Sequence, residues 1–125
     1  MNDENQVRCY RDLNVWQRAI DLTVNVYQLT ARFPKHETYG LSSQMQRAAV
    51  SISSNIAEGH ARDSTKEYLH HLSIAAGSQA ELETQLIIAG RLGYLSDAEV
   101  TDSLASTENI GRMNFGLQRS LKAKL

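Results

Sequence analysis

Two stripes run through the stretch from Tyr39 to Arg62, YGLSSQMQRAAVSISSNIAEGHAR. Met45, Ile52 and Ile56 stand at i, i+7 and i+11, on one helical face. Opposite them Gln44, Arg47, Ser51, Asn55 and Glu58 recur at spacings of 3, 4, 4 and 3 and make a polar stripe. Ala48, Ala49, Ser53, Ser54 and Ala57 fill much of the remainder. Such a helix lets neighbours approach closely on one side and offers hydrogen bonds on the other. The rest of the chain is arranged around it.

The preceding segment predicts a helix from Asp12 or Asn14, either of which suits an N-cap, to about Phe33. One apolar stripe is Val15, Ala19, Leu22, Val26, Leu29 and Phe33; a second, beside it, is Leu13, Trp16, Ile20, Val24 and Tyr27. A doubled stripe is wider than one two-helix seam needs, so it implies several neighbours or another subunit. Pro34 ends this helix. Ser42 or Ser43 is the expected cap of the second, with Gln46 placed to close a box on Ser43, and Gly59 is its expected stop. Ser64 with Glu67 predicts a capping box for a third helix carrying Tyr68, Leu72, Ala75, Leu82, Leu86 and Ala89, with Gly77 in its middle. A glycine there costs about 1 kcal/mol against alanine and suggests close helix approach. Gly93 and Tyr94 end it. Ser96 with Glu99 opens a fourth, whose core candidates are Val100, Leu104, Ile110, Leu117 and Leu121. Short turns between four helices imply an all-α, antiparallel up-down-up-down four-helix bundle. Residues 1–11 read as a flexible lead-in and 12–125 as a single domain.

Composition narrows the function. The 125 residues carry 13 basic and 14 acidic side chains for a net charge of −1, without the basic excess of a dedicated nucleic-acid binder. The single cysteine, Cys9, allows no intramolecular disulfide and fits a reducing compartment. The first dozen residues hold no apolar signal region, and no apolar run reaches membrane-spanning length, so a cytoplasmic protein without membrane contact is expected.

The segments VWQRAIDL, LTARFPKHETYGLSSQMQRAAVSISSNIAEGHAR and KEYLHHLSIAAGSQAELETQLIIAGRLGYL resemble the bacterial four helix bundle protein family, also known as the 23S rRNA intervening-sequence protein family. The resemblance covers roughly Arg11 to Leu95. The runs Asn55–Gly59 and Glu81–Leu86 carry most of it. It implies a left-handed bundle commonly assembled as a homopentamer, with no established enzymatic activity and with suggested RNA or DNA binding. Similar proteins accompany reverse transcriptases in retroelements. Two positions depart from the family's pattern: Ser53 stands where proline is frequent, and Gln46 where a second basic residue is.

Candidate chemistry is sparse. Glu67-Tyr68-Leu69-His70 matches one Glu-x-x-His of a di-metal bundle, but that chemistry needs two such motifs and two further glutamates. Glu58 is expected near Glu67 and His70, yet a capping glutamate followed by surface histidines explains the run without metal. No phosphate-binding glycine loop or nucleophile elbow occurs. The expectation is therefore a non-enzyme with no cofactor. The polar stripe is read chiefly as an interface: Gln44, Arg47, Ser51, Asn55 and Glu58, with Glu81 the helix-three partner expected for Arg47. One pole of the bundle gathers a candidate basic rim, Arg62, Lys66, Arg119, Lys122 and Lys124, which offers a weak contact for nucleic acid or an acidic protein. Its plainer alternative is a solvated end that complements the helix dipoles.

Overall fold

The structure, a computed structural model, describes residues 7–125. Four helices account for most of it: α1 (Asn14–Thr30), α2 (Leu41–His60), α3 (Thr65–Arg91) and α4 (Asp97–Lys122). Each packs antiparallel on the next and α4 returns to α1, while the diagonal pairs α1–α3 and α2–α4 stay apart. The cross-section is a four-cornered bundle, as the pattern predicts. No described helix is long and apolar enough to cross a membrane.

The helix ends are built differently from the expectation in several places. Asp12 does not cap α1. Its carboxylate turns back to accept from the Arg8 and Cys9 amides at 2.9 and 3.3 Å, which caps a short 3-10 turn at Tyr10–Asp12. Leu13 takes the N-cap place of α1 without a side-chain bond. The expected lead-in of residues 1–11 lies partly outside the described residues; within it Tyr10 packs edge-on against Trp16 at 5.3 Å. The helix ends at Thr30, three residues early, because a turn through Phe33 leads into Pro34.

Neither Ser42 nor Ser43 caps α2. A 3-10 turn at Lys35–Glu37 swings the Glu37 carboxylate onto the free Leu41 amide at 3.2 Å, so the acceptor comes from before the helix. Ser42 is buried instead, and Gln46 reaches across to Thr30 Oγ1 at 3.0 Å. Ser64 accepts from the Glu67 amide, though without the reciprocal bond of a full box; Ser96 and Glu99 make both bonds. Gly93 ends α3 with φ +80, where its amide donates to Gly90 and that of Tyr94 to Ala89. This is the paired-bond helix stop that favours glycine.

Gly59 is the clearest reversal. It lies inside α2, not at its stop. A Cβ there would sit 2.8 Å from His71 Cβ and 2.9 Å from Tyr68 Cδ1. The missing side chain lets α2 and α3 close on each other, and this seam is the most extensive in the bundle. Gly77, where close approach was expected, faces open space. Helix α2 runs unbroken past Ser53, whose hydroxyl donates to the Val50 carbonyl.

The core follows the first stripe. Val15, Ala19, Leu22, Val26, Leu29 and Phe33 are buried, against Met45, Ile52 and Ile56 from α2 and Leu72, Leu82 and Leu86 from α3. The second stripe fares otherwise. Leu13, Trp16 and Ile20 are half-buried, but Val24 is 53% and Tyr27 47% exposed. From α4, Ile110 and Leu121 are buried, in a row interrupted by three buried polar residues, Ser103, Thr107 and Asn114.

Candidate functional site

The polar stripe of α2 meets α3 along one continuous seam. Gln44, Arg47 and Ser51 from α2 and Ser78 and Glu81 from α3 line an open groove of about 370 Å³. Its floor is a hydrogen bond between the Ser51 and Ser78 hydroxyls at 2.8 Å. One turn on, the Asn55 amide donates to the Ser51 carbonyl at 2.9 Å and to its hydroxyl at 3.1 Å. That orientation leaves Asn55 Oδ1 as an acceptor, 3.0 Å from His71 Nδ1, so the imidazole donates there. Glu58 Oε2 lies 3.8 Å from the same nitrogen.

All six candidate stripe residues thus face the α2–α3 seam or its rim. Arg47 and Glu81 share the groove, as the hairpin register implies, but no ion pair within 4.0 Å joins them; both are exposed and extend into solvent. Glu83, two residues on, points the other way. Its Oε2 accepts from Thr107 Oγ1 at 2.6 Å and from Gln79 Nε2 at 3.3 Å, tying α3 to α4. Along the inner part of this seam the polar groups satisfy one another: Ser51, Ser78, Asn55 and His71 are joined in one hydrogen-bonded chain. Sequence reasoning missed Ser78 and His71, although both lie on the face of α3 that Glu81 shares. It also missed Thr107 and Asn114. Val100, Ser103, Thr107, Ile110, Asn114, Leu117 and Leu121 step by threes and fours, and that regularity was the available signal. Asn114 Nδ2 donates to the Leu72 carbonyl at 3.0 Å, a buried cross-link between α4 and α3.

The expected nearness of Glu58 to Glu67 and His70 is corrected. Glu58 approaches His71, not His70, and both Glu67 and His70 are exposed. Among the described residues no group of three His, Cys, Asp or Glu side chains is placed to hold an ion.

The basic rim gathers by topology. Arg62 follows α2, Lys66 opens α3, and Arg119, Lys122 and Lys124 close α4, all at one pole and all exposed. None makes an ion pair within 4.0 Å among the described residues. Asp63 and Glu67 stand at the same pole and dilute its field.

The opposite pole holds a clasp the sequence did not reveal. Tyr94 donates to Glu37 Oε2 at 2.9 Å and its ring lies 5.2 Å from Phe33. The Leu41 amide and the Tyr94 hydroxyl hold the Glu37 carboxyl below the usual carboxylate range, and the carboxylate raises the Tyr94 phenol. Glu99, lowered by the Ser96 amide and then by Arg32, joins the end of α1 to the start of α4 through that arginine.

One further concavity lies between α3 and α4. It is open to solvent, with a volume of about 600 Å³, and is lined by Ala76 and Ala80 together with Gln79, Glu83, Glu108 and Arg112; the Gln79 amide lies over Gly111, and Phe115 at the edge is 62% exposed.

The comparisons with known proteins agree with this architecture. A family-wide sequence model described as 23S rRNA-intervening sequence protein matches residues 11–116. A crystal structure of a protein of unknown function from the S23 ribosomal protein family of Bacteroides thetaiotaomicron superposes with a TM-score of 0.75 at 20% identity. It covers 83% of this chain and 97% of that one. At that identity the likeness speaks for the fold alone. No curated protein matches the chain.

Proposed function

The chain belongs to the 23S rRNA-intervening sequence protein family, and on that footing we propose that it is a non-enzymatic, self-associating scaffold working in the cytoplasm without a cofactor. The observation that carries this reading is the uncovered half of the second α1 stripe, with Val24 53% and Tyr27 47% exposed on one face. Two large apolar side chains in a row, beside half-buried Trp16 and Ile20, are an interaction surface by the ordinary physics of burial. The polar seam supports the same reading, because Ser51, Ser78, Asn55 and His71 engage one another along the helix pair. A homopentamer is the assembly that the family resemblance favours. Sedimentation velocity at micromolar concentration tests the proposal. A concentration-stable assembly is expected, and a clean monomer refutes it.

A second reading rests on the unpaired rim cations. In a cyclic assembly every copy points the same way, so Arg62, Lys66, Arg119, Lys122 and Lys124 repeat around one edge and present it to RNA, DNA or an acidic protein. Binding to single- or double-stranded RNA should weaken steeply as salt rises, through counterion release. No binding at low salt eliminates this role and leaves the scaffold reading intact.

A further inference from the structure

We propose that the α3/α4 concavity binds an organic cation, a primary ammonium or guanidinium head carried on an apolar stem. The inference does not depend on self-association; it turns on which way the hydrogen bonds of the lining run. Glu83 is half-buried, and its Oε2 accepts from Thr107 Oγ1 at 2.6 Å and from Gln79 Nε2 at 3.3 Å. Thr107 is fully buried, so it holds that carboxylate from the core side. No Lys, Arg or His nitrogen lies within 4.0 Å of Glu83 among the described residues. Two neutral donors orient the charge, and no cation neutralises it. The amides repeat the pattern. Asn114, 2% exposed, must present its nitrogen to the Leu72 carbonyl, because a carbonyl only accepts. Its Oδ1 therefore faces Gln118, which must answer with Nε2, at 3.0 Å. Gln79 likewise must give its nitrogen to the Glu83 carboxylate. Each glutamine so commits Nε2 to the network and keeps Oε1 free to accept. Exposed Glu108 adds a second carboxylate, against the single guanidinium of Arg112. A surface of oriented acceptors with a negative balance matches a ligand rich in N–H donors and positively charged.

The shape decides where its parts go. The volume of about 600 Å³ is within the range of about 300–1,000 Å³ typical of small-molecule sites. The pairing of Thr107 with Glu83 and of Asn114 with Leu72 sets Glu83 and Glu108 at one end of the concavity and Gln118 at the other. By the helical rise from Glu108 to Gln118 those ends are roughly 15 Å apart. Ala76 and Ala80 lie between them, with Phe115 at the edge. The Arg119 guanidinium stands 5.9 Å from the Phe115 ring centre, so the Gln118 end already holds a cation. The ligand's head therefore belongs at Glu83 and Glu108, donating to Glu83 Oε1 and Gln79 Oε1. Its stem lies over the two alanines against Phe115. A free alkylamine and the lysine or arginine side chain of a partner share this chemistry.

The probe is n-hexylammonium, with hexanol and hexanoate as neutral and anionic controls of the same length. Titrated into the isotope-labelled full chain, it should shift the amide signals of Ala76, Ala80 and Gly111 saturably, and added salt should weaken it. Binding about tenfold weaker is expected for both controls and for the Glu83→Gln protein, the scale of one charged hydrogen bond. Glu108→Gln, at an exposed position, should weaken it about threefold, and it carries the test if circular dichroism shows that Glu83→Gln does not fold. Arg112→Gln should tighten it. A short peptide with one lysine that binds more tightly than hexylammonium assigns the concavity to a partner's side chain, and the reverse order assigns it to a free amine. The cation site is overturned if no saturable shift occurs, if the shifts spread over the whole chain, or if hexanol binds as well as hexylammonium. Full affinity in the folded glutamate variant, or weakening by Arg112→Gln, overturns it equally.

Discussion

One substitution at two glycines should act with opposite sign. At Gly59 an added methyl carbon would lie 2.8 Å from His71 Cβ, 2.9 Å from Tyr68 Cδ1 and 3.2 Å from the Tyr68 carbonyl oxygen. Carbon atoms rest at about 3.5–4.0 Å, so α2 and α3 must part by roughly 0.7 Å or more there. Neither a Cβ nor a carbonyl oxygen can rotate away. The strain should cost about 1–3 kcal/mol, as overpacking of tight cores does. Alanine's better helix propensity offsets about 1 kcal/mol of it. Because a Cβ and a backbone oxygen must be displaced, the upper part of that range, about 2–3 kcal/mol, applies, and the net for Gly59→Ala is a loss of about 1–2 kcal/mol. At Gly77 the same methyl meets nothing within 4 Å, so only the propensity acts and Gly77→Ala should gain about 0.5–1 kcal/mol. Urea unfolding at one fixed protein concentration reads both. With a slope of about 1–3 kcal/mol per molar, the midpoints should move by about half a molar in opposite directions. A Gly59→Ala protein as stable as the natural one would refute the claim that this glycine sets the α2–α3 spacing.

Two other outcomes follow from the buried and charged groups. The Tyr68 hydroxyl and Gln85 Oε1 are buried without a hydrogen-bond partner. Tyr68→Phe and Gln85→Met should therefore leave stability unchanged or raise it by up to about 1 kcal/mol, and a clear loss in thermal unfolding would reveal a partner for either group. Burial also raises the Tyr68 phenol, which Tyr68→Phe removes from the alkaline limb of the stability curve. Glu37 and Glu99 are both depressed in the folded state, first by backbone amides. Such groups stabilise above the unfolded value near 4.3, and that contribution is lost as the pH falls below it through the folded values. Glu37→Gln should flatten the acid limb of a stability-against-pH curve below about pH 5, and an unaltered limb would show that the clasp contributes nothing.

Much of this molecule was legible along the chain. The spacing of Val15, Ala19, Leu22, Val26, Leu29 and Phe33, and of Met45, Ile52 and Ile56, placed the core and both helices, because a helix repeats every 3.6 residues whatever it packs against. Ser64 and Ser96 marked two helix starts, because a cap is a contact between residues three apart. The polar stripe from Gln44 to Glu58 was visible for the same reason. What failed were the properties that depend on a distant neighbour. Asp12 and Ser43 were ordinary cap candidates, but Asp12 turned back on Arg8 and Cys9, and α2 took its acceptor from Glu37. Gly59 reads as a stop until α3 lies against it; Gly77 reads as a contact until that side proves open. Arg47 and Glu81 share a groove in the expected register, yet solvent competes successfully for both charges.

The sequence by itself determined the four helices, their order and the two apolar stripes of α1, since these are set by local periodicity and by turns too short for any other path. Only the tertiary structure decided which stripe was covered. The bundle has room in its core for one side of α1, because α1 packs on α2 and α4 and does not reach α3 across the diagonal. The second stripe is left half covered, with Leu13, Trp16 and Ile20 partly buried and Val24 and Tyr27 facing outward.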